Sequence, residues 1–294
     1  MHAAEAGNPL QALVLATLYN ATPLMIAAMG GILSERAGVV NIALEGLMLA
    51  GAYAGIAFGA GSGMVGLGAA VAVGAALGCF HALLTQGARI NHIISGLGIN
   101  MLAAGATQFL FHRMAQRGTH IAGLPNQLFL AIAILAPIAV WLVLAHTRFG
   151  LRLRACGEDP ESARMSGIDP FGVRLAAVTA SGALAGLAGA YLSMAEAHTF
   201  TTDMSAGKGY IALAAVIFGK WKPLGAAAGA LFFGLFYAVE TQLQISGAHI
   251  VWMGVDLRSP FIMDAVPYVT ALIALVTVVG RATAPAALGK DEGS

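Results

Sequence analysis

The chain has 294 residues, 58% of them hydrophobic and 10% charged, with a formal net charge of +1. A soluble domain carries about 25% charged residues, and several apolar runs here are long enough to cross a bilayer, so a soluble globular protein is excluded. The near-neutral balance also excludes the basic surface that nucleic-acid binding needs.

Apolar runs at roughly 10–33, 39–60, 64–86, 93–112, 127–145, 172–195, 207–219, 224–243 and 264–280 predict an all-α, polytopic membrane helix bundle of about nine spans. The opening MHAAEAGNPL lacks the basic start of a cleavable signal peptide. Thr22-Pro23 predicts a kink in the first span. Beyond it, GGILSERAGVVNIALEGLMLAGAYAG carries Glu35, Arg36, Asn41 and Glu45 inside apolar sequence. Asn41 and Glu45, four apart, share a helix face. Two readings stand. Glu35 and Arg36 sit at the inner surface while Glu45 pairs with a donor and fixes packing, or the segment is a discontinuous helix beside a translocation path. Glycines four apart at Gly55/Gly59/Gly63, Gly74/Gly78, Gly182/Gly186 and Gly225/Gly229 predict close helix crossings. Cys79 and Cys156 are read as structural thiols that never meet.

The fourth run, NHIISGLGINMLAAGATQFLFHR, places Asn100 and Gln108 eight apart on one face. They either bond a neighbouring helix or line a polar pathway. The eight histidines show no metal-ligand spacing.

The stretch Arg148 to Arg174 is the polar centre of the chain. Asp159 can cap a short helix, Pro160 suits its first position and Gly167 its left-handed end. Asp169-Pro170 then starts the next span. A short rigid polar helix between two membrane runs has the form of a docking element for a soluble partner. Further on, the run after Lys208 is short enough to be re-entrant or broken. Lys220, Trp221, Lys222 and Pro223 mark an inner-surface turn, with Trp221 as interfacial anchor. Glu240 and Gln242 are read as the solvated end of the eighth run. The loop 244–263 is open to an external partner, and GKDEGS is read as an unstructured tail.

Counting basic residues by alternate segments gives Arg36, Arg89, Arg148, Arg152, Arg154, Arg164, Arg174, Lys220, Lys222, Arg281 and Lys290 on the side of the polar stretch. Arg113, Arg117, Lys208 and Arg258 fall on the other. The richer side is cytoplasmic, so the N-terminus is expected outside and the C-terminus inside. No GxxxxGK[ST], paired-aspartate cluster or GxSxG occurs. Enzymatic chemistry is therefore unsupported, and any ATP hydrolysis belongs to another chain.

GGILSERAGVVNIALEGLMLAGAYAG resembles the signature of the membrane permease subunits of bacterial nucleoside and simple-sugar ABC importers, a family that includes ribose and branched-chain amino acid permeases. CGEDPESARMSGID resembles that family's cytoplasmic GxNPxAAxxxGI segment, and SGALAGLAGAYLS and MSAGKGYIALAAVIFGKWKPLGA resemble family stretches in the same order. Asp159 stands where the family often has Asn, which keeps the capping ability, and a first span of larger relatives is missing.

The resemblance implies a type II-like importer permease, multi-pass in the bacterial cytoplasmic membrane, with no cofactor or metal of its own. Residues 1–280 would form the permease domain, with a coupling loop at 148–174, and 281–294 a cytoplasmic tail. A second homologous permease would complete a heterodimer among membrane lipids. A cytoplasmic ABC ATPase would dock beneath, and a substrate-binding lipoprotein or periplasmic protein would deliver the solute. The coupling helix maps onto Asp159–Gly167, with Glu158, Asp159, Pro160, Glu161, Arg164 and Gly167 as coupling residues. Asn41, Glu45, Asn100 and Gln108 are the candidates for the pathway of a nucleoside. The alternatives are a ribose- or galactose-type solute, a proton-coupled secondary transporter using Glu45 or Glu240, and a structural membrane protein with no pathway.

Overall fold

A computed structural model of the chain describes residues 8–115, 123–246, 251–252, 255–256, 269 and 283–290. The first apolar run forms α1 (Pro9–Arg36), whose cap Asn8 accepts from the Leu10 N–H. The helix continues through Pro23. Proline has no N–H to give the carbonyl four residues back, and the Tyr191 hydroxyl donates to that carbonyl, on Tyr19, at 3.0 Å. Every residue from Ala21 to Glu35 is buried. A helix apolar on all sides belongs at the centre of a bundle, and α1 is surrounded accordingly.

The helices that follow are α2 (Leu44–Phe58), α3 (Gly63–Ala82), α4 (His92–Ala115), α5 (Asn126–His146), α6 (Arg148–Glu158), α7 (Pro160–Met165), α8 (Pro170–Ala190), α9 (Lys208–Phe218) and α10 (Pro223–Ser246). α3 runs on as a π-helical turn over Leu83–Gly87, and α8 does so over Tyr191–Glu196. A two-residue antiparallel pair, Val251–Trp252 with Val255–Asp256, is the exception to an all-helical chain among the described residues. α5, α8, α9 and α10 pack on α1, and α8 lies between α1 and the pair α2–α3.

The glycine spacing produces the expected close crossing. A Cβ on Gly78 would lie 2.6 Å from Val178 O and 3.0 Å from Gly182 Cα, and one on Gly74 would lie 2.8 Å from Gly186 Cα. Only bare backbone lets α3 and α8 approach this far. The two cysteines are free thiols.

Among the described residues, six helices are long and apolar enough to cross a membrane: Pro9–Arg36, Gly63–Gly87, His92–Arg113, Asn126–His146, Pro170–Glu196 and Pro223–Leu243. The second and seventh expected spans are instead helices of 15 and 11 residues. At 1.5 Å per residue they measure about 22 and 16 Å, short of a hydrocarbon core of about 30 Å. The expected span 264–280 lies outside the described residues.

The polar stretch also holds a helix that the sequence reading left as loop. In α6, Thr147 caps the start, accepting from the Gly150 N–H at 3.0 Å. Gly150, Leu153, Cys156 and Gly157 form its buried face. Of the six residues read as an unstructured tail, Gly289 and Lys290 instead belong to a bonded turn against the bundle, and 291–294 lie outside the described residues.

Candidate functional site

Residues 37–43 are not helical, although they connect two of the most buried helices. Backbone of this kind deep in a membrane protein must find its hydrogen bonds in neighbouring protein. Here they are supplied one by one. Ala37 O accepts from Arg174 Nε at 3.0 Å, Gly38 O from the Gly289 N–H at 3.1 Å, and Val39 O from Ser34 Oγ at 2.7 Å. The Val40 N–H donates to His92 Nδ1 at 3.3 Å, and Val40 O accepts from His81 Nε2 at 3.2 Å. Because Nε2 of His81 donates, its Nδ1 accepts from Ser95 Oγ, 2.9 Å away. Ile42 O accepts from Asn100 Nδ2 at 3.0 Å. The break between α1 and α2 is thus held by side chains from α1, α3, α4 and α8 and by the chain's C-terminal turn.

α2 starts where this stretch ends, and the start of α9 meets it. Glu45, in the first turn of α2 and 8% exposed, accepts from the Gly207 N–H at 2.8 Å through Oε1 and from the Gly209 N–H at 2.7 Å through Oε2. These are donors of the first turn of α9, so the carboxyl sits on the positive end of that helix. Gly207 has φ +78, and a side chain on Gly209 would run into the Glu45 backbone. Asn100 Oδ1 accepts from the Gly46 N–H at 2.8 Å, and its Nδ2 also donates to Tyr210 Oη at 2.9 Å. The Tyr210 ring is 40% exposed. Two short helices therefore meet start to start beside α4, with one carboxyl, one amide and one phenol at the meeting point.

Of the predicted pathway residues, Glu45 and Asn100 come together there. Asn41 is adjacent but faces the other way: wholly buried, it donates through Nδ2 to Ser181 Oγ of α8 at 2.9 Å. Gln108 lies exposed two turns farther along α4 and does not join them. Tyr210, Gly207 and Gly209 were missed. Backbone donors carry no side-chain signal, and a tyrosine in an apolar run reads as packing. Lys208, assigned to the outer surface, sits beside this junction with Nζ 5.6 Å from the Tyr237 ring centroid. Trp221 is no interfacial anchor. It is 6% exposed, and its indole donates to Glu35. The turn at Lys220 and Trp221, with φ +53 and +54, folds the ring under α1 instead of toward lipid. Glu35 is likewise buried, and Arg36 Nε donates to Trp221 O at 2.9 Å.

The second candidate element is α7, at the end of the bundle that also carries Arg36, Arg174 and Trp221. Asp159 Oδ1 accepts from the Glu161 and Ser162 N–H groups, each at 3.1 Å, and Oδ2 from the Ser162 hydroxyl. The Ser162 hydroxyl and amide hold the exposed Asp159 carboxyl below its ordinary value. At the far end Gly167 has φ +77, and the Ile168 N–H returns to Ala163 O at 3.0 Å, the close of a helix on a left-handed glycine. Pro160 is half-buried, Glu161 and Arg164 are exposed, and Met165 is 86% exposed. Glu158 is exposed as well, and its Oε2 accepts from the Ala286 N–H at 3.3 Å.

The family model described as branched-chain amino acid transport system / permease component matches residues 13–279. The chain is 37% identical over 314 aligned positions to "Nucleoside ABC transporter permease protein NupC" of Lactococcus lactis subsp. cremoris (strain MG1363), covering 96% of each chain. It is 38% identical over 311 positions to "Guanosine ABC transporter permease protein NupQ" of Bacillus subtilis (strain 168), covering 95% of this chain and 96% of the relative. It is 34% identical over 304 positions to "Putative glucose ABC transporter permease protein TsgC13" of Haloferax volcanii, covering 92% of each. No solved structure matches at a significant level.

Proposed function

The chain belongs to the branched-chain amino acid transport system / permease component family, and from that premise we propose that it moves a nucleoside through the junction of α2 and α9. It is the membrane permease of an ABC importer rather than an enzyme, and it works with a separate ATPase and a substrate-binding protein. The observation that carries the pathway reading is the start-to-start meeting of two half-length helices around Glu45. Broken helices whose ends face one another are how transporters place polar groups at mid-membrane without exposing backbone to lipid. The exposed Tyr210 ring offers an aromatic face that suits the plane of a nucleobase, and Asn100, with both its N–H groups given to Ile42 O and Tyr210 Oη, holds that ring in place. Asn41 serves this reading by pinning the 37–43 stretch to α8, and Gln108 lies farther along the same face of α4. The nucleoside assignment leans on the relatives named for nucleoside and guanosine, and the glucose-named relative keeps the sugar alternative in play.

The proton-coupled alternative is disfavoured. Both oxygens of Glu45 accept backbone N–H groups that hold the start of α9, a packing task that accounts for this acid without a proton to carry, and the relatives are named as ABC permeases. The crossing count proposed is nine. α2 and α9 each complete a crossing with their neighbouring irregular segments. α10 leaves the end of the bundle that carries Trp221, residues 283–290 are back at that end, and the run 264–280 is suited to the return. The working unit is a pair with a second, homologous permease, with α7 presented to the ATPase on the cytoplasmic side.

The test is uptake into vesicles holding the permease pair, the ATPase and the binding protein, using labelled guanosine, adenosine, uridine, ribose and glucose. Nucleoside uptake that requires ATP is expected. Asn100→Leu lowers it while the subunits still assemble. Uptake of sugars alone, or uptake driven by a pH gradient with this chain by itself, would overturn the reading.

A further inference from the structure

We propose that Arg174 and the C-terminal turn together form the joint through which a displacement of α7 reaches the 37–43 stretch and, through it, Glu45. This rests on α7 being the helix that meets the ATPase. Two separate bridges run between the same two places. The first is Arg174, 1% exposed, whose guanidinium donates through Nη2 to Cys156 O at 3.3 Å, through Nε to Ala37 O at 3.0 Å and through Nη1 to Gln86 Oε1 at 2.9 Å. The second is the turn at 285–290. Its Ala287 N–H donates to Gly157 O at 2.9 Å and its Gly289 N–H to Gly38 O at 3.1 Å, while Glu158 accepts from the Ala286 N–H. Residues 156–158 are the last of α6, immediately before the Asp159 cap of α7; residues 37–38 are the first beyond α1.

The fit at both ends is tight enough to transmit movement. Gly38 has φ +94, and a Cβ there would lie 3.2 Å from Arg174 Nη2. At Gly157 a Cβ would overlap Arg36 O, so α6 ends with its backbone against that of α1. A guanidinium presents its donors in a fixed plane, so it ties three acceptors at set angles, which a lysine ammonium on a flexible stem does not. From Ala37 the connection continues through Val40, held by two histidines, to Ile42 and Gly46 on Asn100 and to Glu45 on α9. Without the joint, a push on α7 would tilt α6 and leave the stretch behind.

The experiment uses the complete importer in proteoliposomes. It reads solute moved per ATP hydrolysed, with labelled guanosine in one arm and labelled ribose in the other, together with ATPase co-purification. Arg174→Lys keeps the charge and loses the fork. Ala287→Pro deletes one N–H near the chain's end. Each should retain ATPase association and hydrolysis while solute moved per ATP falls about tenfold. An unchanged ratio in both variants overturns the joint. If Arg174→Lys fails to assemble, Ala287→Pro decides alone, and a loss of uptake that only tracks lost assembly counts as structural and overturns it too. Asp159→Ala with Pro160→Ala separates the premise. If that variant couples normally, the coupling-helix reading falls and takes this inference with it; if it uncouples while the joint variants do not, this inference alone falls. A complex that moves ribose alone overturns the nucleoside reading and leaves the ratio test in force.

Discussion

Glu45 is where the energetics and the proposed function meet. Replacing it by Gln keeps the size and offers one acceptor in place of two, turning an NH₂ group toward a backbone N–H. A buried donor left without a partner costs about 1–3 kcal/mol. Glu45→Gln is therefore expected to lower the thermal stability of the isolated permease in detergent by that amount and to cut uptake further, since the start of α9 would shift. Stability and uptake both unchanged would rule out the cap as the organising contact. That Glu45 must face protein was legible in the sequence, because an acid placed so deep demands a partner. Its partners were not legible, being backbone amides of Gly207 and Gly209, which carry no side-chain signal. The same limit applies to Asn100 and Gln108. Spacing put both on one face, but only Asn100 lies across from an interrupted backbone with a carbonyl and an N–H to satisfy.

Elements were read best where the signals are local. The caps of α7 and α8 follow from Asp-Pro pairs and hold as expected, while α6 was missed because its buried face is made of Gly150, Leu153, Cys156 and Gly157, mostly small residues that register weakly as apolar. Asp159→Ala with Pro160→Ala should leave membrane insertion intact and weaken ATPase association or uncouple hydrolysis, as read by co-purification and ATPase assay. The Asp159 carboxyl titrates below its ordinary 3.8, so its capping is complete above that value and fades only as pH falls through the lower folded value. Docking should therefore show no dependence on this group between about pH 5 and 8. Asp159→Asn, which still caps, should match the unmodified protein across that range; a pH-dependent difference between the two would contradict the assignment. The α3–α8 crossing makes a paired prediction. Gly78→Ala places a Cβ 2.6 Å from Val178 O and should cost about 1–3 kcal/mol by overpacking. Gly98→Ala on α4 meets nothing within 4 Å and should be neutral, or stabilising by roughly 0.5–1 kcal/mol through the helix preference of alanine. Thermal unfolding of the two variants in detergent compares them directly.

At the scale of the whole molecule the question is which end faces the cytoplasm. Basic residues were split by alternating segments, and Lys208, counted with the outer group, lies half-buried at the start of α9, next to the Gly209 amide that Glu45 holds. Arg36, Gln86, Arg174, Trp221, the end of α6 and the C-terminal turn are joined by hydrogen bonds at one end. α3 links that end to the other, because Gly61 precedes it and Gly87 closes its π-helical turn. A Cβ at either glycine meets nothing within 4 Å, so cysteines there report topology without disturbing the packing. In intact cells a membrane-impermeant maleimide should label Gly61→Cys and spare Gly87→Cys and Lys290→Cys, which react only after permeabilisation. Labelling of residues 87 and 290 from outside would invert the bundle. α7 would then face away from any cytoplasmic ATPase, and the positive-inside argument, the docking role of Asp159–Gly167 and the Arg174 joint would fail together, because all three need the same end of the molecule to meet the motor.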